Sequence, residues 1–427
     1  MNLVGVRDAL GSRINDRSSR WIGGLCLLAF ALRILLAFLG PDHFWSYTAY
    51  YFVAKHALDG EGFCLEAGSR LCAYFPPVYP LVSAAGLMTG HYEAAMKTFG
   101  ALLGTSSVWL TWRVGRIFFN RTVGFVAAVW AAFYPYYIWH DTVLQENAIL
   151  ATVVLVSILL LVRAHQAPTT WKWFGAGAMV ALVVLTKANL TLYALAVLGW
   201  IPLVPQVPTP RRLKWAGVAA LGFGLALAPW MIRTVRITGA PILYSNGGFS
   251  LWTANHALTF EYFPSRSIDL AVDPQRAALS PPERAELALL VKTDKQGIRT
   301  TKWYWERGMK FILANPGLTL RRAIWKVWIA FSPVFSPEKH FAEQALYFCG
   351  YFPMLLLAPI GIWKSRARWR EFGYVLALIV TFAAGTALFW AHTSHRMYLD
   401  PYLMIFAAGA VFSGSPRDLE IGKRRDR

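Results

Sequence analysis

Long uncharged apolar stretches recur along the 427-residue chain, separated by polar connections. Ten of them, at 21–39, 92–112, 123–139, 148–162, 173–186, 190–204, 215–232, 346–363, 372–390 and 398–412, approach the ~20 residues a helix needs to cross a bilayer core. They predict an all-α polytopic membrane protein with about ten transmembrane helices. Two connections are too long to be mere links, 40–91 and 231–345, and connections of that length usually carry function or a small domain. In the first, 43–59 has helical character, with no Gly or Pro before Asp59, and 78–88 reads as a surface helix after Pro76-Pro77. In the second, 282–313 reads as one helix opened by Ser280-Pro-Pro-Glu283, and 318–331 as another ended by Ser-Pro. Arg321, Arg322 and Lys326 interleave there with Trp325 and Trp328, the pattern of a helix lying in the headgroup region.

Composition supports a membrane setting. The chain is 56% hydrophobic and only 15% charged, where a soluble protein carries about a quarter charged residues. The net charge of +19 gains its meaning from position. Residues 1–20, 113–121, 163–172, 211–214, 364–370 and 417–427 hold 21 of the 42 Lys and Arg residues, whereas 140–147 and 392–396 hold only Arg396. This is the positive-inside pattern, and it removes the reason to read the charge as nucleic-acid binding. It predicts a cytoplasmic N-terminal extension at 1–20 and a membrane core at 21–230 with a first outer loop at 40–91. An outer-face loop at 231–345, C-terminal spans at 346–412 and a basic cytoplasmic tail at 413–427 follow. Arg33, inside the first span, lies close enough to the outer interface to snorkel.

Cys26 and Cys349 lie in apolar stretches and read as small buried thiols. Cys64 and Cys72 share an outer loop, where an oxidising compartment would join them in a disulfide worth roughly 2–3 kcal/mol. No metal-binding spacing occurs; a divalent cation between Asp42 and Asp141 is an alternative without a dedicated motif, and no cofactor is called for. Asp42, His140, Asp141, Glu146, Lys187, Arg233, Arg236, His392, His395 and Arg396 all fall at the outer ends of the spans, while the mid-span positions are almost wholly apolar. Transporters place such groups at mid-span. Interfacial cations suit a lipid-linked phosphate, and a carboxylate beside them suits activation of a hydroxyl nucleophile.

Four stretches resemble the GT-C glycosyltransferases, specifically the protein O-mannosyltransferase and lipid A aminoarabinose transferase group. They are Gly60-Glu-Gly-Phe63 with Pro76-Pro77-Val-Tyr79-Pro80; Pro135 with Asp141 and Gln145-Glu146; Ala228-Pro-Trp-Met-Ile-Arg233 with Gly239 and Ser245-Asn-Gly-Gly248; and His395-Arg396-Met-Tyr398-Leu-Asp-Pro401. Leu185-Thr186-Lys187 is similar to the end of the family's fifth span. The resemblance implies the GT-C fold, interfacial helices over an outer cavity, and transfer of a sugar from a polyprenyl-phosphate donor to a lipid, polysaccharide, lipid A or protein acceptor. The setting it implies is the periplasmic face of a bacterial inner membrane, with both termini cytoplasmic.

Carried over by position, Asp42, Asp141 and Glu146 are the acid candidates, and Lys187, Arg233 and Arg396 the phosphate-binding candidates. Ser46, Tyr47, Tyr74, Tyr79, Asn246, His392, His395 and Tyr398 are candidate substrate contacts. The family's first-loop acid aligns with Ser46, and Asp42 would share a face with it on a helix. Where aminoarabinose-type relatives carry a Lys before Pro-Pro, this chain has Phe75. Tyr47, Tyr50 and Tyr51 read first as interfacial belt residues. The competing functions are a carrier or flippase of polyprenyl-linked glycans, and an inactive homologue.

Overall fold

The computed structural model describes residues 17–203, 208–335, 338–390 and 392–413, with backbone alone at 17–20 and 46. Most of the N-terminal extension and the basic tail lie outside these residues. Apart from one isolated bridge between Glu66 and Arg70, the described residues are helices and connections. Each of the ten apolar stretches contains a helix: α1 (Arg17–Leu39), α4 (Tyr92–Phe118), α5 (Arg121–Phe133), α7 (Asn147–Gln166), α8 (Thr170–Thr186), α9 (Thr191–Trp200), α10 (Thr209–Thr238), α17 (Phe341–Lys364), α18 (Gly373–Leu388) and α19 (Asp400–Phe412). The stretch 123–139 is not one span, because the extended Tyr134 ends α5 and a separate short helix follows. The remaining helices are α2 (Ala49–Leu58), α3 (Val78–Met88), α6 (Pro135–His140), α11 (Gly247–Ala254), α12 (Thr259–Tyr262), α13 (Val272–Ala277), α14 (Pro281–Thr293), α15 (Ile298–Ala314) and α16 (Pro316–Ala330).

Four of the ten, within α1, α7, α10 and α17, are long and apolar enough to cross a bilayer unaided. α7 is mostly buried and forms the centre, whereas α10 is mostly exposed along its apolar length, as expected of a helix facing lipid. Local chemistry sets the boundaries. Asn120 caps α5 by accepting from the Val123 amide at 2.8 Å while its own amide donates to the Phe412 carbonyl. Ser280 and Glu283 form a reciprocal capping box on α14.

Two ends of the bundle are distinguished by contact. At one, Arg368 donates to the Phe118 carbonyl and Lys364 to the Ala410 carbonyl, joining segments of the basic set. At the other, the two long connections meet. The Leu71 amide donates to the Lys295 carbonyl, the Cys72 amide to Gln296 Oε1, and the Ser245 amide to the Ala73 carbonyl. Arg70 adds bonds to the Val291 and Lys292 carbonyls. Cys64 and Cys72 form the expected disulfide, so the covalent loop is the piece that docks.

Several expectations change, among them that of Cys349, which is exposed rather than buried. The stretch 282–313 is two helices, because Asp294 turns to accept from the Thr300 amide and hydroxyl and Gly297 takes a left-handed φ of 73°. The helix foreseen from 43 starts at Ala49, after a short 3-10 turn at Phe44–Ser46 and an extended Tyr47. Asp42 is therefore not on a helix with Ser46, whose side chain lies outside the described residues. Arg33 does not snorkel: it is fully buried. Of the three cations on α16 only Arg321 stays exposed; Arg322 donates to the His256 and Ala257 carbonyls, and the buried Lys326 donates to Asn255 Oδ1 at 3.0 Å.

Candidate active site

Two helix ends and one surface helix bring the central pair together. Glu146 is the residue on which α7 begins, and Lys187 is the extended residue on which α8 stops. Their side chains meet as an ion pair of 2.7 Å, both largely shielded from solvent. Tyr50 on α2 donates its hydroxyl to the other Glu146 oxygen at 2.9 Å. Burial raises the Glu146 carboxyl, but Lys187 and the hydrogen bonds outweigh it and hold the group below the usual carboxylate range. Tyr47, at the partly exposed edge of this cluster, lies edge-on to Tyr50 and Phe75. Tyr79 is buried behind Tyr50.

Imidazoles crowd the same corner. His140 is pushed down to about 3 by burial and by His392. His392 is pushed down to about 4 by burial and by the charges of Lys339 and Lys187. Burial and Lys187 also hold His395 well below its ordinary value. These rings stay neutral beside a lysine at physiological pH. His43 stacks on Trp139 with centroids 3.7 Å apart and places Nε2 2.9 Å from the Thr142 hydroxyl, and the Leu144 amide donates to the Phe44 carbonyl. The first loop is thus clamped on the 139–144 turn.

The other charged candidates have protein partners. Asp141 is buried, and its Oδ2 accepts from Arg33 Nε at 2.7 Å; Arg33 also donates to the Ala29, Ala131 and Ala132 carbonyls. Room for this pair comes from α4, where a Cβ on Gly104 would fall 2.0 Å from Asp141 Oδ2. Burial pushes the Asp141 carboxyl up to about 6, against the pull of Arg33. Asp42 is exposed and accepts from the Phe44 amide at 3.2 Å, closing a local turn. Arg233 donates to the Cys72 and Phe63 carbonyls and lies over the Trp230 ring, holding the disulfide loop. Arg396 is fully buried, with every nitrogen engaged by Asp400, the Ala330 carbonyl or the Tyr347 hydroxyl. Of the three cations foreseen for phosphate, only Lys187 stands in the acid cluster.

Among the candidate contacts, Tyr398 is a core residue packed on Phe382. Tyr74 is half-buried against Phe75, and burial pushes its hydroxyl up to about 12. Asn246 starts α11 with no side-chain cap bond. The sequence reading missed Tyr50 as a partner of Glu146, and His43 as the clamp. Their signal was position alone, an aromatic and an imidazole beside the acid expected in that loop.

Residues 75–232 match the family model described as dolichyl-phosphate-mannose-protein mannosyltransferase. That segment contains Asp141, Glu146 and Lys187. The fold agrees with the oligosaccharyltransferase AglB from Archaeoglobus fulgidus, solved with an inhibitory peptide and a dolichol-phosphate: TM-score 0.52, 13% identity, covering 95% of this chain and 51% of AglB. The same enzyme tethered to an acceptor peptide gives a TM-score of 0.51 at 12% identity, covering 91% and 49%. ArnT from Cupriavidus metallidurans, bound to undecaprenyl phosphate, gives 0.41 at 15% identity, covering 91% and 78%, too loose an agreement to carry weight. No curated protein matches. The chain is a helical membrane protein with the GT-C fold, the fold it shares with the archaeal oligosaccharyltransferase. It spans about half the length of the archaeal chains it matches.

A further structure of the archaeal enzyme holds zinc and sulfate, which makes a metal worth testing here. Among the described residues no group of three His, Cys, Asp or Glu side chains is placed to hold one. Sharing an ion between Asp42 and Asp141 does not fit either, since Arg33 occupies the Asp141 carboxylate inside the bundle.

Proposed function

We propose that the protein is a glycosyltransferase of a bacterial inner membrane, moving a sugar from a polyprenyl-phosphate donor to an acceptor hydroxyl at the periplasmic face. The reading rests on one observation above the others: Lys187 and Glu146 form a shielded cation–carboxylate pair where the first loop, the 140–147 turn and the α8 end converge. The acceptor belongs to the class of lipids, glycans or proteins.

The chemistry follows from charge. Breaking the bond between the anomeric carbon and the phosphate oxygen sends the electron pair to that oxygen and turns a monoanionic diester into a dianion. An ammonium already positioned there stabilises the added charge without reorganisation. While Lys187 holds Glu146, the carboxylate is a weak base. When Lys187 turns to a donor phosphate, Glu146 loses its counter-charge and its basicity rises, so it can take the acceptor's proton as the new bond forms with inversion. Asp141 acts through Arg33 to fix the turn that carries Glu146, and Asp42 stands at the solvent side of the same corner.

Purified protein in nanodiscs, given a panel of labelled undecaprenyl-phosphate sugars, tests the assignment. The expected result is release of undecaprenyl phosphate from at least one donor. Transfer of intact donor between leaflets, with no bond broken, would identify a carrier instead; neither cleavage nor movement would identify an inactive homologue.

A further inference from the structure

His392 opens the 3-10 segment Thr393–Leu399 as its capping residue. Its Nδ1 accepts from the Ser394 amide at 3.2 Å and lies 2.7 Å from the Ser394 hydroxyl. An amide N–H can only donate, so Nδ1 must offer its lone pair, and the ring proton of the neutral imidazole sits on Nε2. Ser, Thr, Asn and Asp are the usual residues for such a cap because one oxygen suffices. Histidine does the same with one nitrogen and leaves a second, oriented N–H on the far side of the ring. That Nε2–H has no protein acceptor among the described residues, and the residue as a whole is partly exposed.

Several groups surround the ring. His395 lies with its centroid 5.9 Å away, and His140, Lys187 and Lys339 act on the same corner. Glu146, the acid that also acts there, is paired with Lys187, and Lys339 adds a further positive charge, a balance that disfavours a second proton on His392 and favours an incoming anion. Lys187, by contrast, reaches its carboxylate partner directly.

We propose that His392 Nε2–H is a hydrogen-bond donor to the lipid-linked phosphate, forming with Lys187 a two-donor cradle for the leaving group. This rests on the polyprenyl-phosphate reading above. The hydrogen bond needs no proton transfer: the imidazole keeps its proton, and the phosphate departs as the dianion. A neutral donor adds affinity for phosphate oxygens without setting another positive charge beside Lys187.

The test separates the two ring nitrogens. His392→Asn retains an oxygen at the cap and loses the distal donor; His392→Gln places an amide N–H near the Nε2 position and loses the cap. Binding of undecaprenyl phosphate to the full-length protein in nanodiscs is read by native mass spectrometry, with thermal unfolding in parallel. Hydrogen bonds to charged groups are worth enough to predict about tenfold to hundredfold weaker binding for His392→Asn at unchanged melting temperature. His392→Gln should stay within about threefold of the wild type by the same reasoning. Wild-type affinity in His392→Asn, or equal losses in both variants, overturns the proposal. If the wild type binds and Lys187→Ala weakens binding while His392→Asn does not, His392 is excluded and the lipid-phosphate reading stands. No binding by the wild type overturns both.

Discussion

Asp141 and Glu146 sit five positions apart and read alike in the sequence, as acids at the start of a span. Their surroundings divide them. Asp141 is sealed against Arg33, a partner 108 residues away, so nothing local could reveal it; an arginine late in an apolar stretch invited the snorkelling reading because its acceptor was out of sight. Breaking a buried pair leaves one charge uncompensated and costs about 3–5 kcal/mol. Arg33→Ala should therefore lower the unfolding temperature strongly, whereas Arg33→Met with Asp141→Leu should recover much of the loss; an unchanged Arg33→Ala midpoint contradicts the structural assignment. The imidazoles give a pH test. His140 and His392 titrate in the fold near 3 and 4, below their unfolded value of about 6.5. The unfolded chain then binds more protons between those limits, so their contribution is intact above about pH 6.5 and drains away as pH falls toward 4. Asp141, pushed up to about 6, works in the opposite sense over the same range, so the histidine share is read by difference: the loss of unfolding temperature from pH 7 to 4 should be smaller in His140→Gln than in the wild type.

Elements were legible where they are apolar or well punctuated. All ten apolar stretches contain helices, with only 123–139 broken inside, at Tyr134 before Pro135, and 78–88 was placed to the residue because Pro76-Pro77 marks its start. The outer connection was harder. Asp294–Gly297 breaks a pattern that looked continuous, and α11 lies in a stretch of Gly, Ser and Asn whose helical form depends on packing against α15, where the Gly248 amide donates to Thr301. α16 shows the cost of a buried cation. Burial and Arg322 push Lys326 down to about 7, well below its unfolded value of about 10.4. The fold thus bears most of that cost at pH 7 and less as pH rises. Lys326→Met should raise the melting temperature at pH 7, with the gain shrinking by pH 10; a destabilised variant at pH 7 contradicts this. The disulfide loop docks on α14 and on the link that follows it, at Lys295 and Gln296, and receives Arg233 on two carbonyls. Replacing Cys64 and Cys72 by Ser should cost roughly 2–3 kcal/mol by loop-closure entropy, seen as a lower unfolding midpoint.

At the scale of the whole molecule, charge placement and contact geometry agree: the basic connections share one end of the bundle, and the two long connections interlock at the other. Labelling of single cysteines with a membrane-impermeant maleimide tests the orientation. Lys302→Cys should react in cells with a permeabilised outer membrane and an intact inner one, while Arg116→Cys should not; the reverse contradicts the positive-inside assignment. The fold class was readable because hydropathy and loop charge follow from the bilayer itself. The proposed pair was not readable, since Tyr50, Glu146 and Lys187 meet only when three distant segments pack. That pair carries the central claim, and the most direct measurement is release of undecaprenyl phosphate from a labelled donor by wild type, Glu146→Gln and Asp42→Asn side by side. Loss of a general base predicts a fall of about a hundredfold or more for Glu146→Gln, with Asp42→Asn retaining most of its rate. Near-native release by Glu146→Gln would contradict the account.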